Sequence, residues 1–220
     1  MVLRHTIRKL HLSALNLPLP WGDMPLLRFD RVLMPMRRIV LAAALAACGL
    51  GPAGAAQVAG VTLADTTTVG TTRLVLNGIG LRTYSMLSIH IYVAGLYLQQ
   101  PSHNGDAILA SPGIKLVQMH FVHDVGADSM RGTWRKGLTR NCVAPCVLSQ
   151  TLLTQFLTAL RPVKAGENVT LVFRPQGADA YYDGKPVGHI ADVQFAKLML
   201  AVFIGQNAAV PALKQELLGN

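Results

Sequence analysis

The chain has 220 residues, of which 51% are hydrophobic and 14% are charged, as expected for one globular domain with or without a removable segment. Its formal net charge is +9, but residues 1–56 contain seven Lys and Arg against two acids, whereas residues 57–220 contain thirteen against nine. Because no basic stripe interleaved with aromatic residues follows the leader, the composition argues against nucleic acid as a partner.

Residues 36–56 have the form of a secretory signal peptide. Two arginines precede a short apolar run, and small residues follow it as far as Ala56. The apolar run is too short to span a bilayer. We therefore interpret 36–56 as a signal peptide and 57–220 as an exported, periplasmic domain. Residues 1–35 are a non-structural extension, either upstream of a true start at Met36 or part of a long leader.

A second processing signal overlaps the first. The string LAAC, Leu45 to Cys48, resembles the bacterial lipobox, in which the cysteine is lipidated and becomes the first residue. Lipidation of Cys48 would tether the domain to a membrane, whereas ordinary cleavage after Ala55 or Ala56 would release it. Both alternatives place the domain outside the cytoplasm.

The first half of the exported chain predicts strands. Alternating apolar residues and β-formers predict them at residues 58–63, 72–84, 88–98 and 115–125. Asn77-Gly78 predicts a turn within the second, and a short helix is expected around residues 106–110. Period two puts Ile89, Ile91 and Val93 on one face of the third strand, and Ser88, His90 and Tyr92 on the other.

Two amphipathic helices follow these strands. The first has one apolar stripe of Met130, Trp134 and Leu138. The second covers residues 147–160, and its apolar line consists of Leu148, Leu152, Phe156 and Leu160. Away from its stripe, the first helix carries Arg131, Arg135, Lys136 and Arg140. This basic face is either simply solvated or in contact with a membrane surface.

Strands return at residues 168–175 and in a hairpin at 180–190 whose tip is Asp183-Gly184. Asp192 then caps a helix that is apolar nearly all round, and a terminal helix begins at Pro211. Runs of strands and runs of helices predict an α+β fold, in which helices cover one side of an antiparallel sheet.

Cys142 and Cys146 are the only cysteines beyond the leader, in the segment RNCVAPCVLSQ. An exported compartment and a turn at Pro145 favour a disulfide between them. Free thiols are the first alternative. A zinc site is the second, although it would need two further ligands that the sequence does not place nearby.

The sequence shows no nucleophile elbow, P-loop, dinucleotide fingerprint or zinc-protease motif, and it therefore predicts neither a cofactor nor a metal. His120 and His123 would face opposite sides of a strand, so one metal could not readily bind both. His90 and His189 stand singly, as structural histidines do.

Arg82 is the most informative candidate, because a guanidinium near a mostly apolar strand needs a partner. Tyr92 lies on the polar face of the next strand, and an arginine fork beside a phenol suits a carboxylate or an enolate. Ion pairing of Arg82 with Asp124 or Asp128 is the structural alternative. Trp134 and Asn141 lie about two turns apart on one side of the first long helix.

The segments LNGIGLRTYSMLSIHIYVAGLYL, MRGTWRKGLTRN and DGKPVGHI, with FAKLMLAVFIG and LKQELLG, resemble the chalcone isomerase superfamily, especially its exported bacterial branch. The resemblance covers residues 57–219. It implies an open-faced β-sandwich, in which a curved antiparallel sheet, a helical layer and a ligand cleft between them form one domain.

Active members of the superfamily close a flavanone ring, and their cleft residues can be carried over by motif. The Arg of their G-V-R motif matches Arg82 in GLR, and the Asn of their E-N-C motif matches Asn141 in RNC. Tyr92 stands where they have a Thr, Trp134 where they have a Tyr, and Val202 where they have a substrate-sorting Ser or Thr. This chain therefore keeps the guanidinium of the active members, but it differs from them at the three positions where they have hydroxyl-bearing residues.

Other members of the superfamily grip a fatty-acid carboxylate with the same Arg and a Tyr on the neighbouring strand, which Arg82 and Tyr92 resemble. The resemblance therefore implies a protein that binds a fatty acid or a similar amphiphilic carboxylate, through Arg82, Tyr92, Trp134, Asn141 and Val202. One alternative is an isomerase in which Arg82 and Asn141 are catalytic. Another is an envelope interaction module whose pocket is vestigial.

Overall fold

The computed structural model of the protein describes residues 55–84 and 88–220. These residues form nine strands and five helices in the order β1β2β3β4β5α1β6α2α3β7β8β9α4α5. The strands are Ala55–Val58, Val61–Ala64, Thr66–Val69, Thr72–Tyr84, Ile89–Leu98, Lys115–Phe121, Asn168–Arg174, Gly177–Tyr182 and Lys185–Ile190. The helices are Gly105–Ala110, Ala127–Asn141, Gln150–Ala159, Val193–Ile204 and Pro211–Leu217.

Strands β3 to β9 form one seven-stranded antiparallel sheet in chain order, and β1 pairs only with β2. The predicted strands at residues 72–84, 88–98, 115–125 and 168–175 and the hairpin at 180–190 correspond to β4, β5, β6, β7 and the pair β8 and β9, with ends that agree to within four residues. The single strand predicted at 58–63 is wrong, because residues 59–60 form the turn between β1 and β2, and β3 was not predicted. The α+β fold with a curved antiparallel sheet and helices is confirmed.

The two faces of the sheet are covered differently. On the helix side, the in-register residues Ala94, Met119 and Val169 belong to a large buried core shared with α2 and α4. On the other side, a smaller cluster includes Leu74 and Tyr97. The Tyr97 hydroxyl donates to the Ala64 carbonyl at 2.9 Å, so the β1–β2 hairpin covers this second cluster.

The turn predicted at Asn77-Gly78 is wrong. Strand β4 runs through it, with a register shift between Leu76 and Gly78 that marks a bulge. The Asn77 amide donates to the carbonyls of Ser102, at 3.0 Å, and Leu217, at 2.9 Å. A Cβ at Gly78 would clash with the backbone of α5, so these residues serve helix packing rather than a turn.

The predicted faces of β5 are also wrong, because a second register shift lies there. Arg82 pairs with Tyr92 but Thr83 pairs with His90, which leaves Ile91 as an extra residue on β5. An extra residue inverts the alternation beyond it. As a result, Ile91 comes to the same side of the sheet as Tyr92, whereas His90 does not.

The apolar stripes of the helices are largely as predicted. Met130, Trp134 and Leu138 of α2 are buried. Helix α4 is buried over most of its surface, and the Asp192 carboxylate accepts from the Phe195 amide at 2.7 Å as its N-cap. Helix α3 begins at Gln150, later than expected, because the Ser149 hydroxyl caps it. Its buried residues are Leu153 and Leu157. Of the predicted line, Leu160 is buried just after the helix, and the other three residues are half-buried against the same core.

The structure joins Cys142 and Cys146 by a disulfide, with Cα atoms 5.2 Å apart, in the loop between α2 and α3. We expect the freshly isolated protein to show no alkylatable thiol at these positions before reduction, measured by intact mass. Because the loop is short, reduction should lower the free energy of unfolding by about 2 kcal/mol, the low end of the usual effect. Two thiols that react in freshly isolated protein would contradict this.

The predicted leader lies almost wholly outside the described residues. This holds for the extension at 1–35, for Cys48, and for all of the signal peptide except Ala55 and Ala56, which begin β1. Within the described part of the chain, none of the helices combines the length and apolar character needed to cross a bilayer.

Candidate functional site

A cavity of about 560 Å³ lies between the helix side of the sheet and helices α2, α3, α4 and α5. Most of its wall is carbon. The sheet contributes Met119, Phe121, Val169, Leu171 and Ala180. The helices contribute Met130, Trp134, Leu152, Phe156, Met199, Val202, Phe203 and Leu213. Leu152 and Phe156, from the predicted apolar line of α3, thus face the cavity and stay half-buried.

Arg82 and Tyr92 lie side by side on the wall of this cavity. They are register partners on β4 and β5, so their side chains leave the same face of the sheet. The preceding cavity-side residue of β4, Gly80, packs against Leu213 and Glu216 of α5. Arg82 is half-buried, and it is the only Lys or Arg lining the cavity within residues 55–84 and 88–220.

Neither acid predicted as a partner of Arg82 is available to it. The Asp124 carboxylate accepts from the Lys164 ammonium at 2.8 Å and from the Ala165 amide at 2.9 Å, and these hydrogen bonds lower its pKa. Asp128 pairs with Arg131 at 2.8 Å. Among the described residues, Arg82 forms no ion pair with any carboxylate.

The other acid on the cavity wall, Asp179, is also matched. Its carboxylate accepts from Arg174 Nε at 2.8 Å and lies 2.7 Å from His189 Nδ1. Burial by itself would raise the pKa of Asp179, but hydrogen bonds from Arg174 and His189 outweigh it and lower the pKa. Both cavity acids are therefore compensated locally, and the guanidinium of Arg82 is left as the charge that a ligand could match.

Tyr92 is held in its neutral form. Burial raises the pKa of its phenol to about 12, although the charge of Arg82 acts in the opposite direction. A protonated phenol can donate a hydrogen bond to a carboxylate that Arg82 also contacts. The ring of Tyr92 packs against Phe121, with centroids 5.2 Å apart, and this contact fixes its position.

The raised pKa of Tyr92 predicts a loss of stability at alkaline pH. An unfolded tyrosine has a pKa of about 10. Above it the unfolded chain releases a proton that the folded chain keeps up to about pH 12, so the free energy of unfolding should fall as pH rises through this window. Denaturant unfolding at several pH values should show a smaller fall in Tyr92→Phe.

The matched control is Tyr84→Phe, because Tyr84 is 61% exposed. It should lose stability with pH as the wild type does. Tyr97, whose pKa is likewise raised to about 12 by burial, keeps part of the effect in both variants. An identical pH dependence in Tyr92→Phe and the wild type would contradict the assignment.

Trp134 lines the cavity as part of an aromatic cluster. Its indole packs edge to face on Phe156 and Phe203, with centroids 5.1 and 5.8 Å apart, and Phe156 packs on Phe195. The residue is 9% exposed. Trp134 therefore shapes the apolar wall, and its position suits contact with a hydrocarbon tail.

Val202 also lines the cavity, where it packs against Gly137 of α2. Asn141 does not line it. The Asn141 amide donates to the carbonyls of Gly137, at 2.9 Å, and Asn207, at 3.1 Å, and thereby ties the end of α2 to the segment after α4. Of the five predicted site residues, the structure thus brings four to one cavity and places Asn141 in a structural contact outside it.

Several polar residues at the edge of the cavity were missed by the sequence prediction. They are His123, Ser129, Thr133 and Gln155, all exposed side chains that line the cavity. Each lies on the solvent side of a loop or helix, where no local pattern distinguishes the rim of a cavity from an ordinary surface.

His120 does not line the cavity, and its Nδ1 lies 3.0 Å from the Asn168 amide oxygen. The described residues contain no cluster of acids, histidines and cysteines suited to a metal.

Comparison with known proteins identifies a family and a shared fold. The family model described as chalcone isomerase-like matches residues 55–219. Among solved structures, the fold is similar to that of an Arabidopsis thaliana fatty-acid binding protein, AtFAP1, with a TM-score of 0.63 and 16% sequence identity. The match covers 75% of this chain and 96% of the other. No curated protein sequence matches the chain.

Proposed function

The chain belongs to the chalcone isomerase-like family, and on that premise we propose that it binds a fatty acid or a similar amphiphilic carboxylate in the cavity. One observation carries the proposal. Arg82 lines an apolar cavity, and no carboxylate within the described chain pairs with it. A half-buried guanidinium is stabilised when a ligand supplies the missing anion.

The chemistry of the cavity fits such a ligand at both ends. An arginine fork matches a carboxylate in a bidentate, charge-assisted contact, and each such hydrogen bond contributes about 1.5–3 kcal/mol. An alkyl chain would extend along Met199 and Phe203 of α4 and gain about 0.8 kcal/mol per buried methylene. The volume of about 560 Å³ lies within the usual range for small-molecule sites.

The comparison with AtFAP1 supports the same proposal. That protein is named for fatty-acid binding, and its fold is shared with this chain. The low identity of 16% means that the likeness speaks for the fold, so the argument for a ligand in this chain rests on its own residues.

The alternative isomerase function gains no support from the geometry. Asn141, one of its two expected catalytic residues, is engaged in a backbone contact outside the cavity. Trp134 and Val202 present an indole and a methyl surface where the active relatives have hydroxyl groups. A vestigial pocket is also disfavoured, because the cavity is ligand-sized.

Native mass spectrometry and calorimetric titration test the proposal directly. We expect mildly purified protein to retain acyl chains, and delipidated protein to bind hexadecanoate. The matched control ligand is its methyl ester, which keeps the tail but removes the charge that Arg82 would contact. Weaker binding of the ester supports the carboxylate site, whereas equal binding of acid and ester, or no binding of either, contradicts it.

We also propose that the protein works outside the cytoplasm, as the signal at residues 36–56 indicates. The expected result is a processed chain in the exported fraction, and intact mass measures it. The mass of a chain that begins near Gln57 indicates ordinary cleavage. The mass of a chain that begins at a lipidated Cys48 indicates a membrane tether. A chain that keeps residues 1–35 would contradict both.

A further inference from the structure

The corner between α2 and α3 carries exposed apolar and basic side chains together. Val143 and Val147 are 61% and 81% exposed, and they are among the few large hydrophobic residues at the surface of the described chain. Arg135, Lys136 and Arg140 lie within the last two turns of α2, directly before this loop. We call these five residues the α2–α3 corner.

The loop holds its two valines outward in a defined way. Cys142, Cys146 and Leu148 pack against the main core, whereas Val143 and Val147 alternate with them and face solvent. The disulfide joins the two inward residues, and the Gln194 amide of α4 donates to the Cys146 sulfur at 3.2 Å. The exposed valines therefore lie on a loop that a disulfide and a hydrogen bond to α4 hold in place.

The basic side chains of the corner have no protein anion. They are exposed and lie on the half of α2 opposite its buried stripe. Within the described chain, none of them forms an ion pair with a carboxylate. By contrast, Arg131 on the same helix pairs with Asp128 and donates to the carbonyls of Leu157 and Leu160. Arg131 is thus held by protein partners, whereas the other three side chains form no ion pair within the described chain.

Simple solvation would explain the charges, and Arg140 also suits the negative end of the helix dipole. Neither accounts for two exposed valines beside the charges. Apolar groups that enter the lipid interface, flanked by cations that contact anionic headgroups, are what a peripheral membrane-binding surface requires. We propose that the α2–α3 corner docks the protein on an anionic lipid membrane.

The α2–α3 corner lies close to the apolar cavity, so docking there would bring the cavity near the membrane. Leu152 of α3 lines both the cavity and a small depression formed with Val147 and Leu148. A surface resting on lipid at this loop therefore adjoins the helix that walls the cavity. The docking itself depends only on the corner, and it is measurable whether or not the cavity takes a fatty acid.

Hydrogen–deuterium exchange of the full chain with vesicles tests the proposal with a local readout. Mixed phosphatidylglycerol and phosphatidylcholine vesicles should slow exchange at residues 140–149, and pure phosphatidylcholine vesicles should not. Added salt should reverse the protection, because the attraction is screened. A local readout separates this surface from any lipid contact made by the leader, which is the same in every variant.

Two double variants address the two parts of the corner. Lys136→Glu with Arg140→Glu should raise the lipid concentration for half-maximal protection by about tenfold or more. Val143→Ser with Val147→Ser should raise it by about fivefold. Arg73→Glu with Lys185→Glu is the matched control, because these exposed residues lie on β4 and β9 and the charge change is the same. Thermal melts verify that each variant folds.

Three outcomes would overturn the proposal. One is no anionic-lipid-dependent protection at residues 140–149 in the wild type. Another is an equal loss in the Arg73→Glu, Lys185→Glu control, which would mean attraction by net charge alone. The third is slower exchange at residues 140–149 when the protein concentration is raised without vesicles. This result would mean that the corner is a contact between copies of the chain.

Discussion

Arg82→Ala should weaken the binding of hexadecanoate by about two orders of magnitude while leaving the fold intact. The variant loses a bidentate, charge-assisted contact, each hydrogen bond of which contributes about 1.5–3 kcal/mol. Its thermal stability should change little, because Arg82 forms no ion pair within the described chain. Titration and thermal melts on the same sample measure both quantities.

Two further variants sharpen this test. Arg82→Lys should restore only part of the affinity, because an ammonium keeps the charge but lacks the planar fork. Arg73→Ala removes an arginine from the same strand at an exposed position outside the cavity, so it should bind as the wild type does. Unchanged affinity together with a large fall in melting temperature for Arg82→Ala would show that Arg82 is structural.

Gly78→Ala should lower the free energy of unfolding by about 3 kcal/mol. A Cβ at this position would overlap the carbonyl oxygen of Glu216 and lie 2.6 Å from that of Leu217, far closer than van der Waals contact allows. These are backbone atoms of α5, so they cannot move aside as the end of a flexible side chain can. Relief requires α5 to shift away from β4, and this also displaces Leu213 from the cavity wall.

Gly132→Ala is the matched control for this prediction. Gly132 lies inside α2 and a Cβ there would meet nothing within 4 Å. Alanine favours a helix over glycine, so this variant should be more stable by about 0.5–1 kcal/mol. Denaturant unfolding compares the two. A Gly78→Ala protein as stable as the wild type would mean that α5 does not pack closely on β4.

Much of the fold could be predicted from the sequence because the patterns involved are local. The stripe of Met130, Trp134 and Leu138 repeats with the helical period, and all three residues are buried. The cap at Asp192 depends only on its own first turn. Arg82 and Tyr92 could be placed together because sequence-adjacent antiparallel strands pair.

Other features could not be predicted, because they depend on contacts between segments far apart in the chain. The bulge at Ile91 reverses the expected faces of β5, and only the pairing with β4 reveals it. Asn141 looked like a cleft residue by its motif, yet Asn207 lies beside it in the fold. The rim residues His123 and Gln155 resemble any exposed side chain until the cavity is closed around them.

The sequence by itself therefore determined the order of the elements from β4 onward, the buried stripe of α2 and the presence of a cation near the helix side of the sheet. Period and capping act within one or two turns, and this range suffices for those features. Only the tertiary structure decided that Asp124, Asp128 and Asp179 each pair with another basic side chain, and that Arg82 has no carboxylate partner among the described residues. Which acid pairs with which base depends on how close the two side chains lie in the folded chain, and the packing of the elements sets those distances.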